Sequence, residues 1–125
     1  MTKILRCGYF EGTVDELARP ALDRYVDEQV LPLLARLPKI RAVRVLRARD
    51  VEDGAPHYYM TFEMLYDSKE DIDAALKSPV RAAIRDKLAH VMTTLQGARL
   101  LHINHEVVDV PVAWAMPEAS LRTPA

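Results

Sequence analysis

The stretch His57–Leu65 constrains the fold more than any other part of the chain. Tyr58, Met60, Phe62 and Met64 alternate there with His57, Tyr59, Thr61 and Glu63. Side chains of a strand point alternately to its two faces, so the period of two marks a strand with one apolar and one polar side. A second alternation closes the sequence, with Leu101, Ile103 and Val107 against His102, Asn104 and Glu106. Two such strands exclude a mostly helical bundle.

The remaining elements follow from local signals. Ile4–Phe10 is a short apolar strand, and Ile40–Arg49 is another, rich in Val. Thr13 and Glu16 have capping-box spacing, which predicts a helix from about Val14 to Leu37 with Thr13 as its N-cap. Pro20 either kinks that helix or marks a fresh first turn. Asp50–Pro56 is a turn by composition. Ser68 opens a short helix, and Ser78-Pro79 starts a longer one with Val80, Ile84, Leu88, Val91 and Leu95 at helical spacing. Gly97 is the expected stop. The order is strand, helix, strand, strand, helix, strand. This is an α+β, ferredoxin-like βαββαβ unit: a four-stranded antiparallel sheet with two helices on one face. Residues 1–108 are the expected domain. Residues 109–125 are a tail whose apolar run, Val110–Met116 with Trp114, needs a partner subunit to cover it.

Charge and cysteine content exclude several classes. Lys plus Arg is 17 against 18 for Asp plus Glu, which argues against a nucleic-acid binder. Cys7 is the single cysteine, so there is no intrachain disulfide. No apolar run is long enough for a membrane span, and no signal-peptide core is present, so the cytoplasm is the expected location.

Parity then assigns the sheet faces. Tyr58, Met60, Phe62 and Met64, with Leu5, Cys7, Leu101 and Ile103, are expected beneath the helices. The open face is expected to carry Arg6, His57, Tyr59, Thr61, Glu63, His102, Asn104 and Glu106, with Arg44 joining from the second strand. Such a face is either solvated with incidental histidines, or closes against a second copy to form a pocket between two sheets. The mixture of imidazole, phenol and charge without lysine favours the second. His102 is the candidate acid/base group and Glu63 or Glu106 its partner, because imidazole titrates near neutrality and a carboxylate orients it. Arg6, Tyr59, Thr61, Asn104, Arg44 and His57 are the candidate ligand-binding residues. His105 points by parity toward the helix layer. His102 and His105 lie on opposite faces, so a hydrogen-bonded cluster is preferred to a metal site. Cys7 is expected to be a buried, inert thiol. Arg81, Arg85 and Lys87 are expected on an ordinary solvated helix face.

The run Leu31-Pro32-Leu33-Leu34, followed by Leu37-Pro38-Lys39-Ile40-Arg41, resembles the dimeric α/β-barrel superfamily, and within it the EthD-like proteins. Phe62-Glu63 and the long second helix also fit. The resemblance spans about Ile4 to Val108. It implies that two ferredoxin-like units form a barrel, and that such barrels often use acid/base pairs with no cofactor. The family's helix histidine falls on Val30, beside Gln29, and Lys39 stands in place of the family glycine. No catalytic residue is therefore carried over. The expectation is a homodimer that binds a small aromatic or polyketide-like molecule. Its chemistry would be cofactor-independent, of isomerase, cyclase, decarboxylase or monooxygenase type, with no metal. The alternative is a non-enzymatic metabolite-binding or accessory protein.

Overall fold

The four strands pair antiparallel in the order β2-β3-β1-β4. They are β1 (Ile4–Thr13), β2 (Ala42–Arg47), β3 (Tyr58–Tyr66) and β4 (Gln96–Glu106). The helices are α1 (Arg19–Tyr25), a π-helical segment (Val26–Val30) running into α2 (Leu31–Leu34), then α3 (Lys69–Leu76) and α4 (Pro79–Thr94). The computed structural model describes residues 2–112. The α+β, ferredoxin-like expectation holds. No helix among the described residues is long and apolar enough to cross a membrane.

Two helix starts form as their sequences dictate. Ser68 Oγ accepts the Asp71 N–H at 3.2 Å, and Ser78 Oγ accepts the Arg81 N–H at 3.2 Å, with Pro79 in the first turn. The first helix differs from expectation. Thr13 is not its cap, because β1 continues to a pairing of Thr13 with Gln96. The chain turns at Asp15, whose Oδ1 accepts the Leu17 N–H at 2.8 Å. The helix begins at Arg19, and Pro20 marks its first turn. Pro32 then explains the π-helical segment. Its ring crowds the carbonyl four residues back, and the preceding turn widens, so Leu31 N–H reaches Val26 five residues away. Helix structure ends at Leu34 rather than Leu37. Lys39, in the family's glycine position, adopts φ 66°, a left-handed conformation that glycine tolerates better.

The helices pack on the face of β3 that holds Met60, Phe62, Met64 and Tyr66, all buried. Phe10 of β1 meets Phe62 edge-on at 4.9 Å between ring centres. Val26, Val30, Leu34, Ile72, Ile84, Leu88 and Val91 complete the layer from the helix side. Val30 is fully buried in this core.

The face assignment holds for most of β3 and is reversed in β1 and β4. Arg6 pairs with Met64 and Asn104, and Gly8 with Phe62 and His102. These positions therefore share the helix-covered side. Leu5, Cys7, Leu101, Ile103 and His105 take the open side. The physical reason is that β1 carries apolar or neutral residues in both parities, so its own pattern does not choose a face. Its register with β3 does. A bulge adds a second correction. Phe10 pairs with Met60 and Glu11 with Tyr58, which leaves Tyr59 as an extra residue. Tyr59 turns into the helix layer, where it is 3% exposed and donates to Asp23 Oδ1 at 2.6 Å. Tyr58 is displaced from the expected core face and stacks beside Tyr9, 5.3 Å between ring centres. Strand β4 ends at Glu106, and Val107 N–H bonds the Lys3 carbonyl at 3.2 Å. The expected packing of Trp114 on a partner lies outside the described residues.

Candidate functional site

A cavity of about 240 Å³ lies between the helix-covered sheet face and the helices. Phe10, Phe62 and Met64 form its floor, Leu34 and Leu37 one side, and Ile72, Ala75, Ile84 and Leu88 its roof. The polar groups that reach it are Arg6, Tyr66, Arg81, Arg85 and His102. Each has a local cause. Gly8 lies across the strand pair from His102, and a Cβ there would sit 3.4 Å from His102 Nε2. The missing side chain makes room for the imidazole. Arg6 Nη1 donates to Asn104 Oδ1 at 3.0 Å, its cross-strand neighbour. Arg81, Ile84, Arg85 and Leu88 follow helical spacing, so the stripe that packs on the sheet also carries two guanidinium groups to the cavity.

The electrostatics are one-sided. Burial, then the positive charges of Arg6 and Arg81, push the His102 pKa down to about 4. Its imidazole is therefore neutral at neutral pH. Burial and Arg81 also make Arg6 less basic than usual, and burial raises the Tyr66 phenol. Among the described residues, neither Arg6, Arg81 nor Arg85 is ion-paired with a carboxylate. Four other arginines are: Arg19 with Glu16, Arg41 with Asp67, Arg44 with Glu63, and Arg47 with Asp23 and Asp27.

Of the residues singled out from sequence, the cavity brings together His102 and Arg6, with Asn104 beside Arg6. Glu106 follows on the same strand, exposed and outside the cavity. Glu63 lies on the opposite side of the sheet, paired with Arg44 Nε at 2.8 Å, so it does not meet His102. Thr61 is on that same opposite side, across from Leu46. Tyr59 is held by Asp23, and His57 is exposed before β3, its carbonyl accepting the Gly12 N–H at 2.9 Å. His105 is not in the helix layer. It shares a 3.0 Å hydrogen bond with the Tyr9 hydroxyl on the open face. Cys7 is buried, but on the open side, and burial pushes its thiol pKa up. Arg81 and Arg85, read from sequence as a solvated face, are the residues missed. The signal was their place inside the apolar stripe of α4. No group of three His, Cys, Asp or Glu side chains placed to hold a metal occurs among the described residues.

An antiparallel four-stranded sheet with helices on one side defines a ferredoxin-like α+β protein, here with a cavity between the layers. The ferredoxin-like fold is shared with solved structures that include an EthD family protein, so the resemblance to EthD-like proteins holds at the level of fold. An ethyl tert-butyl ether D (EthD) family protein of Bacillus halodurans aligns at TM-score 0.67 and 23% identity, over 86% of this chain and 100% of that one. A dimeric ferredoxin-like protein of unknown function from Bacteroides fragilis aligns at TM-score 0.60 and 16% identity, over 84% and 96%. A variant of SnoaB, a cofactor-independent oxygenase of Streptomyces nogalater, aligns at TM-score 0.55 and 14% identity, over 86% and 95%. No protein-family model and no curated protein matches the sequence.

Proposed function

We propose that the chain is a homodimeric α/β-barrel protein that binds one small organic molecule in each protomer's cavity and acts on it by cofactor-independent acid/base chemistry. The observation that carries this is a neutral imidazole, His102, at a mostly apolar cavity that Arg6 and Arg81 also line, neither of them ion-paired with a carboxylate of the described residues. The apolar body of an aromatic or polyketide-like ligand packs on Phe10, Phe62 and Met64. His102 takes a proton from an acidic C–H or O–H of the ligand. The electron pair left behind is delocalised onto a ligand oxygen facing Arg6 and Arg81, whose fixed charge stabilises it. Returning the proton to a different carbon completes an isomerisation. Asn104 positions Arg6. Glu63 and Arg44 belong to the other face, and no carboxylate partner is assigned to His102. SnoaB, a cofactor-independent oxygenase of similar fold, supports the reading that this fold can act without a cofactor.

Dimerisation is proposed through the open sheet face. Leu5, Leu46, Leu65, Leu101 and Ile103 make it apolar, with Leu46 45% and Ile103 49% exposed. Exposed apolar side chains grouped among paired polar ones mark an interface, and twofold pairing is the commonest assembly. The ligand site then lies inside each protomer rather than between the two sheets. A second reading, binding without catalysis, is favoured by one observation: His102 is a weak base, and no carboxylate of the described residues hydrogen-bonds to it.

The test is solvent-deuterium exchange into enolisable aromatic ketones and lactones, followed by NMR. Wild type should promote exchange, and His102→Ala should slow it by roughly 10²–10⁴. Equal exchange in the variant removes the catalytic assignment. Binding with no exchange in wild type selects the second reading.

A further inference from the structure

Given the ligand site proposed above, we infer that its ligand is a compact organic monoanion, an apolar body of about one ring bearing a single carboxylate that Arg6 and Arg81 hold. Size is the first constraint. The cavity, about 240 Å³, is smaller than the roughly 300–1,000 Å³ of drug-sized sites and larger than the roughly 150 Å³ that accommodates benzene. One substituted ring fits, and a fused polycycle does not.

Charge is the second constraint. Three guanidinium groups reach a mostly apolar cavity, and two of them, Arg6 and Arg81, lie close enough that Arg81 lowers the basicity of Arg6. Both contribute to depressing His102. Neither is ion-paired with a carboxylate of the described residues, whereas Arg41, Arg44 and Arg47, on and beside β2, are paired. Arg81 also occupies the first turn of α4, which contains no acidic residue, where the helix dipole disfavours a cation. Partly buried like charges held together without a counter-ion are unfavourable, and an incoming anion relieves all of these terms at once. A carboxylate matches the planar fork of guanidinium in a way a single halide cannot. Arg85, on the same stripe, adds to the positive field without being needed for the contact. Docking the anion also offsets the positive charge of Arg6 and Arg81, which adds to burial in holding the His102 pKa down. The ligand thereby raises the basicity of the group assigned to act on it.

The experiment compares benzoate with benzamide, its neutral counterpart, on the full chain. Binding is followed by NMR at the His102 ring resonances and by calorimetry at low and high salt. Benzoate should bind at least about tenfold tighter than benzamide at low salt, shrink that advantage at high salt, and move the His102 titration midpoint upward from about 4. Arg81→Gln should remove most of the advantage. Arg81→Lys should restore part of it. The amide spectrum of each variant verifies its fold. Equal binding of benzamide and benzoate, with His102 signals shifted by both, overturns the carboxylate and leaves the cavity as a ligand site. Benzoate binding that survives an Arg6→Gln/Arg81→Gln double variant also overturns it. Failure of both compounds to move His102 overturns this inference and the ligand site together.

Discussion

Ile103→Asp tests the assembly at the point where the structure makes the result easiest to read. Ile103 sits in the middle of β4 on the open face, opposite Cys7, and is 49% exposed in the protomer. Burying a whole isoleucine side chain contributes about 1.5–3 kcal/mol, so covering the remaining half contributes about 1 kcal/mol. A carboxylate forced into a dry interface without a partner costs at least about 2 kcal/mol more. Twofold symmetry places the change at the interface twice. The sum is about 6 kcal/mol, or roughly four orders of magnitude in the dimer dissociation constant. The protomer itself should tolerate the change, because the replaced side chain is half in water. Size-exclusion chromatography with light scattering at micromolar concentration is the assay, with circular dichroism as the fold control. Wild type should run at twice the 14.2 kDa chain mass and Ile103→Asp at the chain mass. A variant that stays dimeric refutes pairing through this face. A wild type that is monomeric at that concentration refutes the dimer.

Two further outcomes follow from backbone and charge. His102 has a depressed pKa in the folded state, about 4 against the usual value near 6.5, so the unfolded chain binds more protons between those values. Its contribution to stability should be complete above about pH 6.5 and be lost as the pH falls toward 4. His102→Gln should flatten that part of the urea-midpoint profile, and an unchanged slope would contradict the assignment. Lys39 holds φ 66° at the end of the first helical region. Lys39→Gly should raise stability by about 0.5–1 kcal/mol, the left-handed strain relieved less the added chain entropy of glycine. Thermal denaturation measures it, and a lower midpoint would show the strain to be absent.

The residues that announced the fold did so through strong local physics. The alternation of Met60, Phe62 and Met64, the Ser68 and Ser78 caps and the Pro79 start each depend on neighbours within a few positions, so they were legible in the chain. Thr13 shows the limit of such signals. Its capping-box spacing is real, but strand pairing with Gln96 outcompetes the helix. The departure at Lys39 was visible as a residue out of place, and the backbone shows what that residue does.

The site was legible in part. His102, Arg6 and Asn104 were recognisable as polar groups on strands, because polar residues inside apolar runs stand out. Sequence alone determined the element order, the helix starts at Ser68 and Ser78 and the polar candidates. The tertiary structure decided which of them meet. Face parity in β1 is ambiguous by composition, and it was settled by pairing with a strand more than fifty residues away. The bulge at Tyr59 is a property of two strands together, so no pattern within β3 reveals it. Arg81 joins His102 only because α4 crosses β4 with its apolar stripe facing inward. Spacing along a chain sets which side chains share a face of one element. Which faces of different elements share a cavity depends on long-range register, and a one-residue slip exchanges every side chain on a strand between core and surface.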